Sequence, residues 1–79
     1  GPSAALMARV DGKIKTVRLE REEELMELQK KAVVLSTTYE SHGLLARIMD
    51  ENGIFPQIAP VPATLEDAYV YCMGGKTHA

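Results

Sequence analysis

Cys72 and the histidines His42 and His78 are the side chains of this sequence best suited to nucleophilic chemistry. A cysteine beside a histidine can form a thiolate–imidazolium pair, which activates the sulfur. Helical spacing, however, puts Cys72 on an apolar stripe with Leu65, Ala68 and Tyr69, where a free cysteine acts as a small hydrophobe. His42 follows Ser41 at an expected helix start, and His78 falls in an expected frayed tail over residues 76–79. Glu66 and Asp67 are adjacent, so on a helix they point about 100° apart and do not share a proton as a catalytic carboxylate pair does. Glu20, Glu22, Glu23 and Glu24 fit a solvated helix start better than a metal site. Asp50 and Glu51 close an expected helix, where acid is unfavourable, and only solvation accounts for them. Gly12, Gly43, Gly53, Gly74 and Gly75 match neither a P-loop nor a dinucleotide fingerprint. No catalytic, cofactor-binding or metal-binding residue is assigned.

Composition narrows the classes further. The 79 residues are 46% hydrophobic, 25% charged and 5% aromatic, which describes one small globular domain. A chain of this length buries only about 60% of its unfolded surface, too little for a lidded or two-domain active site. Nine Lys+Arg against eleven Asp+Glu leave a net charge of −2, without the basic footprint of a nucleic-acid or anionic-membrane binder. A single cysteine forms no internal disulfide and no multi-cysteine zinc or iron–sulfur site. Together with the lack of a span of about 20 apolar residues and of a signal-peptide pattern, this suits a cytoplasmic location. Gly1-Pro2 in place of an initiator Met reads as the remnant of a cleaved tag. Residues 1–5 are then expected to be tag and linker, residues 6–75 a single domain, and the whole a piece of a larger protein.

The elements expected to position these residues follow from spacing. Residues 6–19 read as two short strands around Asp11-Gly12, a hairpin signal, although pairing Ala8 with Lys15 and Arg9 with Ile14 leaves neither face cleanly apolar. Residues 20–32 read as a helix with Leu25, Leu28 and Ala32 on one face and Met26 beside them, acidic at its start and closed by Lys30 and Lys31. Residues 33–39 form the clearest strand, with Val33, Leu35, Thr37 and Tyr39 on one face and Val34, Ser36 and Thr38 on the other. Ser41 is expected to cap a helix running to Glu51, with Leu44, Leu45, Ile48 and Met49 as its stripe and Asn52-Gly53 as its end. Residues 54–61 are extended, with Pro56, Pro60 and Pro62 confining them to a sheet edge. Thr64 is expected to cap a last helix in a capping box with Asp67, burying Leu65, Ala68, Tyr69 and Cys72, until Gly74-Gly75 ends it. The fold class is therefore α+β: a small two-layer sandwich of ferredoxin-like or split βαβ type, with an antiparallel or mixed sheet and helices on one face.

One stretch is more specific. Pro60-Val61-Pro62-Ala63-Thr64-Leu65-Glu66-Asp67-Ala68-Tyr69, finishing at Gly74, resembles the closing segment of exporter-type ATP-binding-cassette (ABC) transporter ATPase subunits. There an accessory domain ends in a strand, a proline, Ser/Thr-Leu-Glu-Asp, a small apolar residue and an aromatic. Tyr69 stands for the usual Phe, and Cys72-Met73-Gly74 for Leu-Thr-Gly. Residues 44–54 are similar to the helix and strand that precede that segment, and the resemblance covers about residues 33–75. Val10-Asp11-Gly12-Lys13-Ile14 looks like the family's junction, but Val17-Arg18-Leu19-Glu20 replaces its usual Gly-Thr-Pro.

The resemblance implies a non-catalytic C-terminal accessory domain that supports dimerisation or regulation of the ATPase by protein–protein contact. Its partners would be the ATPase core of the parent chain, a second copy of the subunit and a membrane permease subunit, at the cytoplasmic face of the membrane, with no nucleic acid, no direct membrane insertion and no cofactor. The family's P-loop, signature and Walker B acid have no counterpart here, so no catalytic residue carries over. The interface candidates are Leu65, Tyr69, Val70, Tyr71 and Met73. Two other classes remain open: a small-molecule-sensing regulatory α+β domain with its ligand at a dimer interface, and a small enzyme using Cys72.

Overall fold

Alternating burial along the central strand organises the molecule, and a computed structural model of the chain describes residues 2–73. The elements are α1 (Pro2–Val10), β1 (Ile14–Leu19), α2 (Glu22–Lys31), β2 (Val33–Glu40), β3 (Gly43–Met49) and α3 (Leu65–Cys72). The strands form one sheet in the order β1-β3-β2, with β3 antiparallel to both neighbours. β1 and β2 therefore run parallel to each other, joined through α2 and separated by β3. This is the split βαβ arrangement of the expected small α+β sandwich.

Leu44, Ala46 and Ile48 of β3 point to one side, where they join Val17, Leu19 and Val34 beneath Leu25 and Leu28 of α2. Met49 points to the other side and joins Ile14 and Leu35 beneath Val10 of α1 and Ala68 of α3. The helical cover is thus divided between the two sides instead of lying on one. Met26 departs from the stripe expected for α2 and is 62% exposed.

Three stretches depart from the expected elements. Residues 2–10 form a helix and not the first strand of a hairpin, so α1 takes in residues 2–5 as well. Leu6, Met7 and Val10 have helical spacing on the buried side, and the Ala-Leu-Met-rich segment has high helix propensity. Asp11-Gly12 does turn the chain, as the end of that helix: Asp11 N–H donates to Met7 O at 2.9 Å, and Gly12 takes φ +75°. The segment after Ser41 is strand β3 and not a capped helix, and Ser41-His42 is the turn of the β2–β3 hairpin. Residues 54–61 make no strand, but Val61 N–H donates to Ile14 O at 2.8 Å and so meets the outer edge of β1.

A bulge between Val34 and Ser36 reverses the side-chain alternation of β2. Thr37 and Tyr39 therefore share the α2 side with Val34, while Ser36 and Thr38 share the opposite side with Leu35. The expected pairing of Thr37 and Tyr39 with Val33 and Leu35 does not hold, because one extra residue moves everything after it to the other face.

Candidate functional site

α3 is the element that the sequence marked for contact, and its N-terminus is built as expected. The Thr64 hydroxyl accepts the Asp67 N–H at 3.1 Å, and Asp67 Oδ2 accepts the Thr64 N–H at 2.8 Å, closing a capping box. A further partner was not legible in the sequence. Arg47 of β3 reaches Asp67 with Nε on Oδ1 and Nη2 on Oδ2, both at 2.7 Å, and Nη2 also donates to Pro62 O at 2.8 Å. Burial pushes the Asp67 carboxyl up, but the Arg47 and Thr64 hydrogen bonds outweigh it and hold Asp67 below the usual carboxylate range. The same hydrogen bond, set against burial of the guanidinium, raises Arg47.

This anchor decides which face of α3 is covered. Asp67 and Ala68 are buried, and Val70 and Tyr71 pack against the second core cluster. Leu65, Tyr69 and Met73 lie four residues apart on the outer side, 39%, 50% and 83% exposed. The expected buried face of Leu65, Ala68, Tyr69 and Cys72 is therefore corrected: the helix is rotated so that only Ala68 of the four is buried. Of the interface candidates, Val70 and Tyr71 are half-covered by the chain itself, and the Tyr71 hydroxyl donates to Glu51 Oε1 at 2.9 Å. Leu65, Tyr69 and Met73 remain as one exposed apolar stripe.

Cys72 is exposed and not part of the core, and Arg9 Nη1 lies 3.7 Å from its sulfur. His42 sits in the β2–β3 turn, and no described bond brings it to Cys72. His78 and the Gly74-Gly75 stop lie outside the described residues. Among the described residues no cluster of histidine, cysteine and carboxylate side chains could hold a metal ion.

Beside the start of α3 is a cleft of about 240 Å³ lined mainly by polar side chains, among them Ser36, Arg47, Thr64, Glu66 and Asp67, with Leu35 and Val70. Its guanidinium already holds Asp67 and Pro62, and Thr64 and Asp67 are bonded to each other, so these three polar groups are engaged within the chain.

On the other side of the sheet, Asp50 has a role that spacing did not suggest. It follows β3, and its carboxylate accepts Lys15 Nζ at 2.8 Å, Ile54 N–H at 2.8 Å and Phe55 N–H at 2.9 Å. Lys15 Nζ also donates to Phe55 O at 2.7 Å, so the buried pair pins the 50–55 turn against the sheet. Burial pushes Asp50 up, but the Lys15 hydrogen bond and the two amides outweigh it and leave the carboxyl lowered.

No helix among the described residues is long and apolar enough to cross a membrane. No protein-family model matches the chain, and comparison with curated proteins and with solved structures gives no match.

Proposed function

We propose that this chain is a non-catalytic accessory domain of an ABC transporter ATP-binding subunit, acting at the cytoplasmic face of the membrane by protein–protein contact with the ATPase core. The observation that carries this reading is the exposed stripe of Leu65, Tyr69 and Met73 on α3. It lies on the segment whose Thr-Leu-Glu-Asp-Ala-Tyr order resembles the closing helix of those subunits. Apolar and aromatic groups held on a capped helix suit a partner surface, because the backbone is already ordered and binding costs only side-chain entropy.

The reading makes a genomic demand and a biochemical one. The open reading frame that encodes this chain should carry a P-loop, a Walker B acid and a switch histidine upstream of residue 6. A frame without them overturns the reading. The chain should bind the ATPase core from that frame, with NMR shifts centred on Leu65, Tyr69 and Met73, and Tyr69→Ser/Met73→Ser should abolish the shifts while the fold persists. Binding untouched by the double substitution would place the contact elsewhere.

A further inference from the structure

We propose that two copies of this chain associate side by side through the β2 edge, antiparallel about a two-fold axis, with α2 of each copy against α2 of the other. β3 is the central strand, and the start of β1 is met from outside by Val61. β1 and β2 are thus both edge strands, but among the described residues no backbone hydrogen bond reaches the outer side of β2, and past its bulge residues 36–40 run as a regular strand paired only on the β3 side.

The direction of α2 over this edge is set by one contact. The Tyr39 hydroxyl donates to Glu22 Oε1, placing the N-terminus of α2 beside the C-terminal end of β2. From Glu22, the same side of the helix continues at intervals of four through Met26 to Lys30. The stripe reads acid, apolar, base. Its apolar centre, Met26, is 62% exposed, and Tyr39, which holds Glu22, is 64% exposed.

A two-fold axis reverses this order. It sets Glu22 against Lys30 of the second copy, Lys30 against its Glu22, and Met26 against its Met26. The macrodipoles of the two α2 helices then run antiparallel. The stripe from Glu22 to Lys30 is about 12 Å long, and the regular edge of residues 36–40 spans about 13 Å. One axis can thus engage both at once.

This pattern favours a second copy over an unrelated partner, because a uniformly acidic or basic surface would meet like charge at one end of the stripe. The pair of Lys30 with Glu27 at 3.1 Å is exposed on both sides and holds Lys30 only weakly. α2 lies on the opposite face of the sheet from α3 and its Leu65, Tyr69 and Met73 stripe, so the inference does not rest on the proposed core contact.

The test is sedimentation equilibrium of the full chain and of three variants, with circular dichroism to confirm folding. The wild type is expected to dimerise, and Glu22→Lys and Lys30→Glu are each expected to weaken dimerisation about tenfold or more. Mixing these two variants should restore a heterodimer, since each then offers the charge the other lacks. A wild type that stays monomeric at all concentrations overturns the proposal, as does a dimer unaffected by either substitution. A dimer lost in Tyr69→Ser/Met73→Ser instead would place the contact on α3 and also overturn it.

Discussion

Arg47 and Asp67 meet as a two-armed ion pair that ties the central strand to the first turn of the last helix, both arms at 2.7 Å. The same carboxylate closes the capping box with Thr64, so one side chain both starts α3 and fixes it on the sheet. Asp67 is buried, whereas the Arg47 side chain is about a quarter exposed. The rotation of α3, and with it the outward position of Leu65, Tyr69 and Met73, depends on this pair.

Arg47→Ala is therefore expected to destabilise the chain by about 2–3 kcal/mol, because it strands a buried carboxylate. Arg47→Lys should recover only part of this, since an ammonium cannot place two parallel donors on one carboxylate. Thr64→Ala loses one capping hydrogen bond and should cost about 1 kcal/mol. Urea denaturation of the single and double variants checks this, and the Arg47 and Asp67 losses should fall short of additivity.

Acid should unfold the chain by a route that two carboxylates dominate. Asp50 and Asp67 are both lowered in the folded state. Their contribution is complete above the unfolded value of about 3.9. It is lost as pH falls through that value toward the lower folded ones, because the unfolded chain then binds more protons. Melting temperature should be flat from neutral pH down to about 5 and fall steeply below it. Asp67→Asn should start less stable and show a shallower acid limb. An acid limb of unchanged slope in this variant would assign the dependence to other groups.

Legibility in the sequence followed the range of the interactions involved. The 20–32 helix and the 33–39 strand were legible because local spacing and capping determine them, and so was the Thr64–Asp67 box. The 41–51 segment reads as a helix, although it is strand β3, because β3 is covered on both sides. Leu44, Ala46 and Ile48 face α2, while Leu45, Arg47 and Met49 face the other way, and a doubly covered strand carries apolar residues at helical spacings too. At residues 6–10 an Asp-Gly turn signal and a helix-favouring composition point to different elements, and helix propensity prevails. The bulge in β2 left no mark in residue type. Arg47–Asp67 and Lys15–Asp50 join residues 20 and 35 positions apart, a distance at which spacing carries no signal. The rotation of α3 therefore had to come from the structure.

The buried Lys15–Asp50 pair should matter more than the solvated Asp50 expected from the sequence would. Asp50→Ala would leave a buried ammonium with only Phe55 O as partner and would free the amides of Ile54 and Phe55. The expected loss is about 3–5 kcal/mol, a large share of the stability of so small a domain. Hydrogen exchange should show it first at Ile54 and Phe55. A loss below about 1 kcal/mol would mean that the turn is held by Phe55 packing alone.

The hairpin turn offers a backbone counterpart. Gly43 takes φ +138°, and a Cβ there would sit 2.3 Å from the Leu19 carbonyl oxygen, a backbone atom that cannot step aside. Gly12 takes φ +75° with open space around it. Gly12→Ala should therefore cost about 1 kcal/mol, from conformation alone. Gly43→Ala adds a steric clash to its conformational strain and should cost about 3 kcal/mol, by forcing β3 away from the end of β1. Urea midpoints of the two variants measure the difference directly. Equal losses at the two positions would show that the Leu19–Gly43 approach is looser than its geometry, and that the β1–β3 end can open without penalty.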